Sequence, residues 1–284
     1  MKKITIVYSY FNQKEWLEKL LKYWNNYYKN YIDLLDIIII DDYSTIPAYP
    51  VVKANYKFNN IKVVNITQDL GFGSIAARNL GAVLATTDNV LLLDIDNVIT
   101  PYLLQEMLDW NYKEDTFYYR FFNSAYKLSL RFNLQFRKSS HTLYINKNLF
   151  FSIGGYPKDL IGGYGYEDHL IFDFLEIKLT NKYTSRKYPG NKVIDLKTVT
   201  HPLNKFKNNF ASDMRVFDIY DDEYISRGFK IINKNPVFLF NNGKSNIKRD
   251  SKRNYDIYIK LLQEKLIDPV FTTDIFLPEY ELAS

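Results

Sequence analysis

A chain of 284 residues with 46% hydrophobic and 24% charged residues has globular composition, long enough for one large α/β domain with an appendage, which excludes a disordered chain. The absence of cysteine excludes disulfides, thiol catalysis and thiolate metal sites, leaving Asp, Glu and three histidines as metal ligands. The net charge of +5 is concentrated in KSNIKRDSKR, Lys244 to Arg253, a stretch that reads either as a solvated loop or helix start or as a patch for a polyanion.

The opening MKKITIVYSYFNQ alternates apolar residues with Thr and Ser, so it reads as a first strand, Ile4 to Tyr8, and not as a signal peptide. Glu15 to Tyr31 carries Leu17, Leu20, Leu21, Trp24 and Tyr28 at helical spacing, and the apolar run Asp36 to Ile40 predicts a second strand. Ile61 to Ile66 predicts a third strand, Ser74 to Ala85 a helix and Val90 to Leu93 a fourth strand. Strands alternating with helices over residues 1–100 predict a doubly wound, mostly parallel sheet that binds its ligand at the carboxyl ends of the strands. Beyond Pro101 a helix through Trp110 leads to strands Phe117 to Phe122 and Thr142 to Asn146, expected to form a smaller mixed sheet. A further helix from Glu167 towards Leu179 follows a loop containing Gly162, Gly163 and Gly165. The boundaries expected are a catalytic domain over 1–204, with halves 1–100 and 101–204, and a mainly helical extension over 205–284. No apolar stretch approaches the roughly 20 residues of a membrane span, which predicts a soluble, cytoplasmic chain with at most peripheral membrane contact.

Chemistry concentrates at the expected carboxyl edge. In LLLDIDN, Asp94 and Asp96 follow a buried strand, and if the chain stays extended both carboxylates point to one side, suiting a hard cation and a diphosphate. Asp41 and Asp42 of IIIIDDYST end another strand, where a carboxylate either accepts from a nucleobase or ribose or closes a turn or helix start. In QDLGFGSIAARN, Gly71 and Gly73 permit a tight turn, Ser74 is a candidate helix cap, and Arg78 either supplies charge to a nucleotide or lies on the surface. The segment GFGSIA also matches a loose dinucleotide fingerprint, but it follows the third strand rather than the first, which disfavours a dehydrogenase. Glu167 and Asp168 open a helix after a Gly/Tyr loop, placed either for the helix dipole or to deprotonate a hydroxyl, with Tyr164 and Tyr166 available to stack on a ring. His201, in TVTHPLNK, is either structural or the completion of an Asp-based metal site.

In their order and spacing, these segments resemble family 2 glycosyltransferases and related galactosyltransferase-like enzymes of the GT-A fold, from ITIVYSYFNQ to about His201. The resemblance implies that Asp41 or Asp42 holds the nucleobase, Arg78 approaches the nucleotide, Asp94 lies near the ribose, and Asp96 with His201 binds Mn²⁺ or Mg²⁺. It further implies Asp168 as the base, Glu167 at the acceptor, and inverting transfer of a sugar from a nucleotide diphosphate, UDP by default, to a hydroxyl. The acceptor classes left open are a glycan, a lipid-linked sugar or a modified base in nucleic acid. The alternatives are a sugar nucleotidyltransferase, disfavoured by the lack of a basic glycine-rich loop near the first strand, and a silent binding module on the same scaffold. The chain departs from the family pattern at Tyr43, where relatives often have Gly, at Gln68 and Asp69, which replace a frequent Asn, and at His169 after the Glu-Asp pair.

Overall fold

A computed structural model describes residues 3–99, 101–109, 118–123, 137–180, 201–202 and 251–283. Strands β1 (Ile4–Tyr10), β2 (Leu35–Asp41), β3 (Ile61–Ile66) and β4 (Asn89–Asp94) are parallel, and the sheet order runs β3-β2-β1-β4. Helices α1 (Lys14–Tyr27), α2 (Ala48–Asn55) and α3 (Ser74–Leu84) make the crossovers. The chain winds outward from β1 through β2 to β3 and then returns to the other side of β1 as β4. The reversal opens a crevice between the carboxyl ends of β1 and β4, where such sheets take their ligands.

The apolar run of β2 is explained by burial on both faces. Ile37 and Ile39 pack with Ile6, Tyr8, Leu20 and Trp24 on one side, while Ile38 and Ile40 pack with Val7, Leu80, Leu92 and Phe150 on the other. A strand buried on both faces has no polar alternation to show.

The strands of the second half, β6 (Tyr118–Asn123) and β7 (Arg137–Asn146), do not form a separate sheet. β7 pairs antiparallel with β4 and β6 with β7, so both extend the central sheet and satisfy the backbone edge that β4 would otherwise expose. A two-stranded ladder joins β5 (Asn97–Val98) to β8 (His201–Pro202). Helix α4 (Pro101–Asp109) follows β5, and α5 (Lys147–Ser152) is capped by the Asn146 side chain, which accepts from the backbone N–H of Asn148 and Leu149. Helix α6 (Glu167–Thr180) lies close to its expected bounds.

The C-terminal part contributes both a helix, α7 (Ser251–Ile267), and a strand, β9 (Tyr280–Leu282). β9 pairs antiparallel with β3 as the seventh strand of the sheet, so the expected boundary at residue 204 does not bound the sheet. Among the described residues no helix is long and apolar enough to cross a membrane.

Helix α3 presses closely on β1: a Cβ added at Gly81 would overlap Val7 Cγ1. In an exposed helix Gly81→Ala would stabilise by about 1 kcal/mol. Here the overlap with a β-branched side chain, stiff about χ1, outweighs that gain. The substitution is expected to lower unfolding stability by about 1–2 kcal/mol in a urea titration, the overpacking penalty less the propensity gain.

Candidate active site

Four loops converge at the carboxyl edge of the sheet. The loop after β1 is tied to the loop after β2 through buried Asn12, whose Oδ1 accepts from Ile46 N–H (2.9 Å) and Thr45 Oγ1 (2.9 Å), while Asn12 N–H donates to Ser44 Oγ (2.9 Å). Asp41 is buried within the same loop and has both oxygens engaged by backbone, Oδ1 by Ser44 N–H (3.0 Å) and Oδ2 by Ala48 N–H (2.7 Å). It closes the turn and covers the start of α2. Burial pushes its carboxyl above the ordinary aspartate value, opposed by the hydrogen bonds from Ser44 and Ala48.

Asp42 is also buried, and its Oδ2 accepts from Gly73 N–H (2.9 Å). The N-cap position of α3 is Gly73 and not Ser74, which is the first residue of the helix, and the helix start is met by a carboxylate from another loop. A negative charge at this helix N-terminus is favoured by the helix dipole. A side chain at Gly73 would overlap the Asp42 carboxylate, which accounts for the second glycine of GFG. The first, Gly71, has φ +73° and packs on Gly162 of the loop before α6, whose N–H donates to Phe72 O (3.0 Å). The rings of Phe72 and Tyr164 meet edge to face at 5.3 Å, so the β3–α3 and pre-α6 loops form one wall.

The centre of the site is Arg78, which is not a surface arginine. Its side chain is only 3% exposed; Nη1 donates to Asp168 Oδ1 (2.7 Å) and Nη2 to Asp94 Oδ1 (2.5 Å). The guanidinium lies over the ring of buried Tyr156, with Cζ 5.4 Å from the ring centre. Burial alone would make this group easier to deprotonate, but Asp94, Tyr156, Asp168 and Glu167 outweigh it and hold the cation more firmly than usual. The next residue, Asn79, grips the Tyr156 backbone from both sides: Nδ2 donates to Tyr156 O (2.9 Å), and Tyr156 N–H donates to Asn79 Oδ1 (2.9 Å). Tyr156 and Asn79 were not singled out from the sequence. The only signal for them is that Asn79 follows Arg78 on a helix whose start faces the site.

The two acids of LLLDIDN diverge from the expectation of a continuous strand. β4 ends at Asp94, and Ile95 and Asp96 form a turn, so strand alternation does not carry through them. Asp94 faces Arg78, whereas Asp96 Oδ1 accepts from Asn97 Nδ2 (2.7 Å). Asp and Asn favour such turns because their side chains bond to neighbouring groups. Opposite this turn, the β5–β8 ladder pairs Val98 with His201 and Asn97 with Pro202, so distant backbone reaches the residues just after Asp96. A carboxylate and an imidazole, the donor types of Asp96 and His201, are ones that a hard or borderline divalent cation accepts. Among the described residues no group of three or more His, Asp or Glu side chains could hold a metal, and the His201 side chain lies outside the description.

Glu167 and Asp168 are buried in the first turn of α6. Tyr166, immediately before them, has φ +69°, in the left-handed region that non-glycine residues rarely enter. Of the basic stretch Lys244 to Arg253, positions 244–250 lie outside the described residues. Arg253 Nη2 donates to the backbone oxygens of Asp159 (3.1 Å) and Ile161 (3.5 Å), which is a structural use and not a free cationic surface.

Three substitutions test this geometry. Arg78→Met leaves two carboxylates, one of them buried, facing apolar surface, and is expected to destabilise by about 3–5 kcal/mol in denaturant unfolding. Arg78→Lys should restore only part of that, because one ammonium lacks the fork that reaches both acids. Tyr43, half-exposed and with φ +54°, occupies the position where glycine is frequent in the resembled family, and Tyr43→Gly is expected to raise stability by up to about 1 kcal/mol in the same assay.

Comparison with known proteins follows the same outline. The sequence model described as Glycosyl transferase family 2 matches residues 5–159, a span that includes Asp41, Asp42, Arg78, Asp94 and Asp96 but ends before Glu167 and Asp168. No curated protein matches the chain by sequence. Among solved structures, S. aureus TarS residues 1–349 in complex with UDP-GlcNAc is similar at 16% identity, with 60% of this chain and 52% of that one covered and a TM-score of 0.49. The mannosyltransferase PcManGT from Pyrobaculum calidifontis, in complex with GDP-Man and Mn²⁺, is similar at 15% identity, with 62% and 52% covered and a TM-score of 0.45. Glucosyl-3-phosphoglycerate synthase from Mycobacterium tuberculosis, in complex with phosphoglyceric acid, is similar at 16% identity, with 62% and 65% covered and a TM-score of 0.43. The chain spans about half the length of the first two. With more than half of its residues matched by the family, and with the mixed α/β sheet described above, the chain belongs to glycosyltransferase family 2, of the GT-A fold.

Proposed function

We propose that the protein is an inverting, metal-dependent glycosyltransferase that moves a sugar from a nucleotide diphosphate, UDP in the first instance, to an acceptor hydroxyl. The observation that carries this reading is the Arg78 bridge. It brings a donor-side acid from the end of β4 and an acceptor-side acid from the start of α6 onto one guanidinium at the edge where such sheets bind ligands.

The donor occupies the crevice between β1 and β4. Of the two acids after β2, Asp42 is the candidate for the nucleobase, since both oxygens of Asp41 are engaged by backbone amides. Gly71 allows the donor close approach to the β3–α3 loop, and Asp94 faces the ribose side. Asp96 and His201 would hold the divalent cation, which when bound neutralises charge on the leaving diphosphate. Asp168 accepts the proton of the attacking hydroxyl as that oxygen bonds to the anomeric carbon. Arg78 holds one Asp168 oxygen in place, which fixes the direction of the other. Glu167, Tyr164 and Tyr166 line the acceptor side. A neutral glycan or lipid-linked sugar is preferred over nucleic acid, because acids crowd this side and Arg253 is engaged with backbone carbonyls.

The reading is tested without an acceptor by incubating the full chain with a panel of nucleotide sugars and scoring slow donor hydrolysis. One donor should release its nucleoside diphosphate with Mn²⁺ present, and chelation should abolish release. Failure of every donor to bind or hydrolyse would count against a transferase and for a silent module. Once an acceptor is found, Asp168→Asn should reduce kcat by roughly 10²–10⁴-fold while donor KM changes little. Normal turnover by that variant would remove Asp168 from the role of base.

A further inference from the structure

The start of α7 is fastened to the loop that precedes the catalytic helix. Asn254 is fully buried and its Nδ2 donates to Gly165 O (3.0 Å). A side chain at Gly163 would overlap Asn254 Oδ1, so the helix sits directly on this glycine. One turn later Tyr258 Oη donates to Asp173 Oδ2 on α6 (2.7 Å). The fastening brings three tyrosines together: Tyr166 stacks on Tyr258 with ring centres 5.4 Å apart at 29°, and meets Tyr255 at 5.3 Å and 57°. Tyr255 stays 45% exposed beside this cluster, and the exposed ring of His169 lies 6.3 Å from Tyr166.

Tyr166 holds its left-handed backbone one residue before Glu167 and Asp168, so the aromatic cluster begins where the acceptor acids begin. Strain of this kind, at about 1–3 kcal/mol, persists only where the surroundings enforce it. The enforcing surroundings are α7, a segment outside the span matched by the family. The ligand that suits the cluster has an apolar face of C–H groups for the ring and a rim of hydroxyls for nearby carboxylates. Asp173, which accepts from Tyr258 Oη, and the first-turn acids Glu167 and Asp168 make the surroundings of the cluster acidic, which disfavours a phosphate-bearing strand.

We infer that Tyr255, with Tyr166, forms a stacking platform for a neutral sugar ring of the acceptor, so that the acceptor is a glycoside and α7 completes its binding site. The inference rests on the acceptor-side reading of Tyr166 given above. Saturation-transfer NMR on the full chain, with the α- and β-methyl glycosides of glucose, galactose and N-acetylglucosamine as probes, tests it. At least one glycoside should receive saturation on its ring C–H protons. Tyr255→Ala and Tyr255→Leu should both weaken its binding about tenfold, as expected for one lost stacking contact, and Tyr255→Trp should preserve it. Melting curves of each variant establish that it is folded, which the exposure of Tyr255 favours. Absence of binding by every glycoside, unchanged affinity in the Ala variant, or wild-type affinity in the Leu variant would each overturn the platform. So would displacement of the glycoside by a single-stranded oligonucleotide. Donor hydrolysis by the same preparation separates the two readings: hydrolysis without glycoside binding overturns the platform alone, and no hydrolysis of any donor overturns the transferase.

Discussion

A buried guanidinium cannot stay buried alone, and the requirement to neutralise Arg78 organises the carboxyl edge of this sheet. Removing two or three charges from water costs several kcal/mol per ion, and the cost is recovered only where geometry and hydrogen bonding are good. Arg78 meets that condition by taking one acid from the end of β4 and one from the start of α6, with the Tyr156 ring beneath it. Each partner belongs to a different element, so the ion pairs fix where α3, β4 and α6 stand relative to one another. Asn79 extends the same constraint to the loop around Tyr156. The arrangement that stabilises this edge is therefore also the arrangement that brings Asp94 and Asp168 together.

The glycines near the site follow from this convergence. Helix α3 has to approach β1 closely at Gly81 to carry Arg78 inward, and its first turn lies against the Asp42 carboxylate at Gly73. Asp42 in turn supplies charge to the α3 N-terminus, while Asp41 closes the loop that starts α2. Adjacent acids thus hold the starts of two different helices. Their burial ties the loops of the carboxyl edge to each other rather than to solvent.

Much of the parallel sheet was legible because β2 and β4 are apolar runs closed by Asp, and β1 and β3 are rich in β-branched residues. Ile61–Ile66 matched its expected span, and α3 and α6 came within a residue or so of theirs. Helix α2 escaped notice because it is short, carries Pro50, Val51 and Val52, and takes its N-terminal acceptor from Asp41, seven residues upstream. Strand β9 is three exposed residues whose pairing with β3 is wholly non-local. The ladder of β5 with β8 is shorter still. At the site, the residue types at the sheet edge were readable, but their partners were not. Nothing in the spacing of Arg78, Asp94 and Asp168 indicates that one fork reaches both acids, and Ser74 looks like a cap until Asp42 is seen in that place.

The family pattern and the wall built by α6 and α7 divide along the chain. The family match ends at residue 159, and everything that builds the far wall lies beyond it: the Gly162–Gly165 loop, α6, and the C-terminal helix seated on that loop. The two parts share one buried core, in which Leu170, Ile171 and Leu175 of α6 pack with Val7, Ile38 and Leu92 of the sheet, and they meet at the site through Arg78 with Asp168, Gly71 against Gly162 and Phe72 against Tyr164. A wall attached in this way can change its exposed side chains without disturbing the buried sheet, because surface substitutions away from such joints shift stability by only a few tenths of a kcal/mol. The same C-terminal segment that carries Tyr255 also ends in β9 on the opposite edge of the sheet. Its ends are thus anchored on the Gly162–Gly165 loop and on β3, so the helix that carries Tyr255 is held to the sheet from both sides.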